Sequence, residues 1–254
     1  GRERKASAVT LKVISAEVTD MSIYNSYLPP DSPFQIVAGT ASICADIALE
    51  PDNASGWLKL GAGGIKMLID EQSISADLTA HIALVDGIPG EMVFDLSGSE
   101  LELDNVRVSG EKESFDDEQW LARFRLTRGE TTWKKPLALN ASLQLSLSDS
   151  SPIVAVFGNR GYRPDWLLNM LSVDDISGTA EVVAANNQVV IPYANALSDH
   201  IELGAKGSIS EQNREGVIYA RYRKLDAILK ISGGDRNIDI TRARAKYNAY
   251  RAAP

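Results

Sequence analysis

Residues 137–147 read Leu137-Ala138-Leu139-Asn140-Ala141-Ser142-Leu143-Gln144-Leu145-Ser146-Leu147. Leu137, Leu139, Ala141, Leu143, Leu145 and Leu147 fall on one phase, and Ala138, Asn140, Ser142, Gln144 and Ser146 on the other. A helix, turning about 100° per residue, scatters such leucines around its circumference; a strand puts them all on one side. The segment is therefore a half-buried strand, and it sets the pattern for the chain.

The same period recurs on both sides of it. Val37, Ala41, Ile43, Ala45, Ile47 and Leu49 form one row, and Ile74, Ala76, Leu78, Ala80, Ile82 and Leu84 another. Leu11, Val13 and Val18 mark a strand near the start. Met92, Phe94 and Leu96 begin one that resumes at Leu101 and Leu103. Later rows are Ile176, Ala180 and Val182; Ile201, Leu203 and Ala205; Ala227, Leu229 and Ile231; and Ile238 with Ile240. Turn signals separate them, including Pro51-Asp52-Asn53, Asp86-Gly87, Ser109-Gly110, Arg128-Gly129 and Gly233-Gly234-Asp235. The spacing is that of antiparallel hairpins and meanders, with roughly a dozen or more strands.

Helix signals are few. Tyr162 to Leu171 carries Pro164 and Asp165 at its start and an apolar face of Trp166, Leu167, Met170 and Leu171. Thr19 to Tyr27 reads as a short helix capped by Thr19, and Ile240 to Ala253 as a frayed terminal one. The chain has 254 residues. A boundary near Ser148 to Pro152 divides a first meander (1–150) from a short helix plus second meander (151–254), unless the two form one continuous domain.

Charge excludes some partners. The net charge is −8, which disfavours the phosphate backbone of nucleic acid, and no basic stripe compensates. Arg2, Arg4 and Lys5 at one end, and Arg242, Arg244, Lys246 and Arg251 at the other, read as solvated termini. No apolar run approaches the ~20 residues of a membrane-spanning helix. The chain opens with Gly1 and a charged segment rather than with Met, which reads as a piece of a longer protein whose targeting or anchor segment lies elsewhere.

Catalytic and metal-binding patterns are not found. The two histidines, His81 and His200, make no pair of metal-ligand spacing, and both read as surface residues. The single cysteine, Cys44, reads as a small packing residue. There is no G-x-S-x-G elbow, and Gly61-Ala62-Gly63-Gly64 lacks the Lys-Ser/Thr of a phosphate loop; it reads as a flexible or bulged strand end. The acidic groups Asp116-Asp117-Glu118, Asp174-Asp175 and Asp235 with Asp239 read as solvated loop acids. Trp57, Trp120, Trp133 and Trp166 are spread along the chain and read as packing residues. No enzyme activity and no cofactor are expected.

Two Gly-punctuated stretches carry a resemblance. Asp175-Ile176-Ser177-Gly178-Thr179-Ala180 followed by Ile201-Glu202-Leu203-Gly204-Ala205-Lys206-Gly207-Ser208-Ile209, and Phe94-Asp95-Leu96-Ser97-Gly98-Ser99-Glu100-Leu101-Glu102-Leu103-Asp104-Asn105-Val106, resemble the AsmA-like (TamB-like) C-terminal region of bacterial envelope proteins. The resemblance covers residues 36–108 and 173–240. It implies a periplasmic segment of a parent anchored in the inner membrane. It also implies strands that curl into a long apolar groove, similar to the bridge-like lipid transport proteins of eukaryotes, and a part in moving phospholipid towards the outer membrane. No catalytic or binding motif of the family is matched.

The expectation is thus a mainly β fold, a long antiparallel meander curled into a groove or closed into a two-layer sandwich, with one or two short helices. A dozen strands at about 4.8 Å each span almost 60 Å, and open sheets rarely pass about ten strands without curling or splitting. If the sheet is a groove, the lipid-facing candidates are Leu137, Leu139, Leu143, Leu145, Ile43, Ile47, Leu78, Ile82, Leu203 and Leu229. The expected partner is phospholipid or another acyl-chain lipid. The alternative is a structural or protein-binding β-scaffold of the envelope, with a protein partner and a dry core.

Overall fold

The structure, a computed structural model, describes residues 8–27, 34–69, 72–110, 114–134, 138–152, 173–185, 188–210, 213–233 and 235–252. Most of the alternating rows form strands, with Met92, Leu96 and Ile240 falling just outside them. The strands are β1 (Val9–Val18), β2 (Phe34–Leu49), β3 (Ala54–Ile69), β4 (Gln72–Leu84), β5 (Asp86–Ile88), β6 (Val93–Asp95), β7 (Glu100–Ser109) and β8 (Ser114–Thr132). They continue as β9 (Ala138–Asp149), β10 (Asp174–Ala185), β11 (Gln188–Leu197), β12 (Ile201–Ser210), β13 (Arg214–Tyr222), β14 (Leu225–Ser232) and β15 (Asp235–Asp239). All fifteen belong to one sheet, and every pairing is antiparallel.

The order along the sheet is β1-β2-β3-β4-β7-β8 and then β9 to β15 in sequence. The one detour is the β5–β6 hairpin. β7 pairs with the first part of β8, up to Glu100 opposite Arg125, and β6 takes its place against Glu130–Thr132. The sheet passes from β9 to β10 without a break, Asp149 pairing with Asp174 and Leu139 with Ala184.

It is a single layer. Among the described residues, the extensive contacts run between neighbouring strands, with three additions: a 3-10 helix (Met21–Tyr27) on β2, an α-helix α1 (Ala243–Ala249) on β13 and β14, and β5 against β3. Among the described residues, no second sheet of the sandwich kind packs over either face. Register shifts interrupt most of the pairings, for example at Val13/Ala16, Ala62/Ile65, Asp104/Val106, Leu126/Arg128 and Ile191/Ala194. Each extra residue bends its strand and raises the local twist, which is how a sheet of this width avoids being flat.

The 3-10 helix and α1 thicken opposite faces. Met21 is buried over Ala41, Ala62 and Ile65 on the apolar face. Asn25 holds the turn in place: its amide donates to the Ile36 carbonyl at 2.7 Å and its carbonyl accepts from the Ile36 N–H at 2.8 Å. On the polar face, Tyr247 of α1 stacks on Tyr219 at 5.4 Å and closes a cluster with Val217, Ile228 and Ala243.

Several sequence readings need correction. The terminal helix is shorter than the Ile240–Ala253 expected, spanning Ala243–Ala249, and the Tyr250 N–H closes its end onto the Lys246 and Tyr247 carbonyls. Arg128-Gly129 is no turn but lies inside β8, beside the Leu126/Arg128 shift. Asp86-Gly87 begins β5. Gly61–Gly64 lies within β3, where the Ala62/Ile65 shift needs Gly64 at φ 58°. Met92 sits in a left-handed turn before β6. Val37 is out of phase with Ala41 because two shifts flank Ala38, so Ile36 packs inward and Val37 is exposed. The acids Asp116 and Glu118 are not in a loop; they lie on β8 and pair with Arg107 of β7. The expected helix from Tyr162 to Leu171 lies outside the described residues.

Candidate functional site: the apolar face

Directly opposed residues in an antiparallel pair share a face, so the registers can be followed across the whole sheet. One row runs Ala16, Ile43, Leu60, Ala80, Leu101, Phe124, Leu145, Gly178, Ala196, Leu203, Ala220, Ala227, from β1 to β14. Every member is apolar. Twelve strands at about 4.8 Å give it a length of about 53 Å.

Two shorter rows flank it. Val18, Ala41, Ala62, Leu78, Leu103, Ala122, Leu147 and Ile176 lie to one side. Leu126, Leu143, Ala180, Ala194, Ala205, Ile218, Leu229 and Ile238 lie to the other. The first flank is closed down by the Met21 cluster and by a second cluster of Ile74, Ala76, Val106, Val108, Trp120 and Ala122. The central row stays half-open: Ile43, Leu60, Leu101, Phe124, Leu145 and Leu203 are all half-buried, with no strand layer above them among the described residues.

The sequence-derived candidates fall into this arrangement as follows. Ile43, Leu145 and Leu203 lie in the central row, Leu78 in the first flank, and Leu143 and Leu229 in the second. Ile82 pairs with Leu58, Ile47 with Leu11 and Gly56, and Leu139 with Thr131 and Ala184, and strand phase puts all three on the same face. These nine are half-buried. Leu137 lies outside the described residues. Phe124, Leu101 and Leu60 belong to the central row but were not among the candidates. Trp120, Ala122, Phe124 and Leu126, set against Arg123 and Arg125, give the period-two signal that marks β8; the surrounding charges mask it.

The other face carries an equally long row, polar except at Gly61 and Leu197: Glu17, Ser42, Gly61, Thr79, Glu102, Arg123, Ser146, Ser177, Leu197, Glu202, Arg221, Asp226. Cross-strand ion pairs stud it. Arg123 donates to Glu102 at 2.7 and 3.0 Å, which pushes its pKa up, and Arg125 stands 3.5 Å from Glu100. A shallow cavity of about 600 Å³ opens here over Glu100, Arg125, Gln144 and Thr179. His81 is half-buried on this face between Lys59 and Glu100, not a fully exposed surface group. Cys44 also points to the polar side, opposite Lys59. Trp57 carries Lys59 over its ring at 5.4 Å, Trp120 is buried, and Trp133 packs edge-on to Phe94 while remaining exposed. Trp166 lies outside the described residues.

The sheet is therefore amphipathic as a whole. No helix among the described residues is long and apolar enough to cross a membrane. No family model matches the chain, and no curated protein or solved structure matches it either.

Proposed function

We propose that this chain is a non-catalytic, lipid-binding segment of an AsmA-like envelope protein, with acyl chains lying along the apolar face. The observation that carries the reading is the unbroken apolar row from Ala16 to Ala227, half-open and without a second layer among the described residues. Contiguous apolar surface of that extent calls for an occupant. The length also fits: about 53 Å by strand spacing exceeds the about 30 Å of a whole bilayer core, so several acyl chains can follow one another along it. That suits a track better than a pocket. The polar face would then meet water while the apolar face shields the lipid. In this reading the segment lies in the periplasm, its parent is anchored in the inner membrane, and the cargo is phospholipid passing between the two membranes.

Native mass spectrometry of the purified chain tests it. Phospholipid should accompany the wild type and be lost in Leu143→Asp and Leu203→Asp, with far-UV circular dichroism unchanged. A folded chain that carries no lipid and extracts none from phospholipid vesicles would sink the reading. A second reading, a scaffold that pairs through its edges, is favoured by one observation: Val9, Leu11 and Ile14 on edge strand β1 are 56%, 50% and 83% exposed.

A further inference from the structure

We infer that β1 is a self-complementary edge through which two copies of this chain pair, antiparallel, into one continuous sheet. The inference concerns the edge named by the scaffold reading and is independent of what the apolar face carries. β1 ends the sheet and pairs only with β2 among the described residues, so one side of its backbone has no ladder partner. A long apolar edge of this kind is a ready template for another strand.

The register decides the partner. In an unbroken strand, residues three or five apart face opposite sides. The shift between Val13 and Ala16 changes that: Val13 pairs with Ala45 and Ala16 with Ile43, so both lie on the apolar face. By the same registers Lys12 pairs with Asp46 and Glu17 with Ser42, on the polar face. The strand is thus symmetric about the point between Ile14 and Ser15. Laid antiparallel against a second β1 with that point on the two-fold axis, Val13 meets Ala16, Leu11 meets Val18, and Lys12 meets Glu17, each contact occurring twice, as an isologous interface requires.

Both charged residues are placed for this. Lys12 is 68% exposed and only loosely engaged with Asp46 at 3.6 Å, and Glu17 has no ion-pair partner among the described residues. Opposite charges directly across a strand pair favour the register, and like charges oppose it. The apolar rows of the two copies then run on into one another on the same side. A single strand pair is smaller than the roughly 1,200 Å² at which stable complexes begin, so the dimer is weak and concentration-dependent.

Sedimentation velocity tests it on the whole chain. The wild type should shift with concentration towards twice its 27.5 kDa mass. Lys12→Glu and Glu17→Lys should each weaken self-association at least tenfold, because each sets two like-charge pairs across the axis. An equimolar mixture of the two variants should recover the dimer, since both cross-pairs then become Glu–Lys. Recovery also establishes that each variant is folded. A wild type that stays monomeric into the hundreds of micromolar overturns the proposal. So does a dimer indifferent to both reversals, or a mixture that does not recover. Lipid co-purification that persists in the monomeric variants would separate this failure or success from that of the lipid reading.

Discussion

Asp77 and Asp104 stand directly opposite each other on β4 and β7, yet the fold drives their carboxyl groups in opposite directions. Asp77 accepts the Gly64 N–H at 2.7 Å and the Asn105 side-chain amide at 2.7 Å. Both donors sit at register shifts, Gly64 at φ 58° in β3 and Asn105 at φ 50° in β7. One carboxylate therefore pins bulges on both neighbouring strands, and these bonds hold its pKa below the ordinary 3.8. Asp104 is pushed up, first by burial and then by the charges of Asp77 and Glu102.

Asp77→Ala should therefore cost about 1–2 kcal/mol at neutral pH, a charged hydrogen-bond acceptor discounted for solvent screening. Its folded pKa lies below the unfolded value, so the contribution is present above pH 4 or so and disappears as pH falls through the lowered folded value. Urea unfolding of wild type and variant at several pH values checks this. A gap that stays constant down to the most acidic point would contradict the role given to the carboxylate.

Asp104→Asn should do the reverse and stabilise by about half a kcal/mol at pH 7, the scale of a like-charge cross-strand pair. Here the folded pKa lies above the unfolded one, so the wild type loses stability as pH rises through that window, and the variant does not. The two curves should meet at low pH, where Asp104 is protonated in both states. A variant less stable than wild type at pH 7 would show that the Asp104 charge is held by something other than these neighbours.

The contrast between β9 and β8 shows what alternation can reveal. Leu139 to Leu147 put apolar groups on one face and small polar groups on the other, so strand, phase and face are all legible. In β8 the polar phase carries Arg123 and Arg125, whose partners Glu102 and Glu100 lie on β7, remote in sequence. Their pairing is a tertiary fact, and the sequence alone leaves these charges without partners. β13 fails for a different reason: Ile218 faces the apolar side while Val217 and Tyr219 are buried on the other under α1, so no alternation survives. Strand phase selects the candidate residues, but the continuity of the central row does not follow from it. That continuity depends on registers, and on bulges such as Gly64 and Asn105 that only the folded sheet defines.

Trp120 and Arg123 lie three residues apart on β8 and should respond very unequally to substitution. Trp120 is 5% exposed in an apolar cluster with Ile74, Val106 and Val108 and donates its indole N–H to the Asp149 carbonyl at 3.0 Å. Trp120→Ala should cost about 3–5 kcal/mol, the range for a buried aromatic. Arg123→Gln, despite a two-pronged bond to Glu102, should leave the urea midpoint unchanged, because the pair is exposed and water replaces it. A large loss in Arg123→Gln would mean the polar face is structural rather than solvated.

The C-terminal helix offers the sharpest steric test. Gly204 lies under the Tyr247 ring, where an added Cβ would come 2.6 Å from the ring and 2.7 Å from its hydroxyl. The ring cannot easily retreat. Tyr219 stacks against it at 5.4 Å, the Tyr247 hydroxyl donates to the Ala194 carbonyl at 3.2 Å, and the Lys206 ammonium lies 4.5 Å from the Tyr247 ring centroid. Gly204→Ala should therefore lift α1 and cost about 1–3 kcal/mol, as overpacking does. Tyr247→Phe, which loses only the hydroxyl bond, should cost about 1 kcal/mol. Lys206 adds a pH signature. Burial, and then the charge of Arg251, pulls its pKa below the ordinary 10.5, although it donates to the Tyr247 and Tyr250 carbonyls. The unfolded chain then binds more protons between the two values, so stability rises as pH climbs through that window. Hydrogen exchange of the α1 amides reads both effects. Exchange in Gly204→Ala should approach that of an unprotected segment at pH 7, while β2 to β9 remain protected. If the α1 amides stay protected in Gly204→Ala, the Tyr247 ring can move without the helix, and the clamp is looser than its contacts imply.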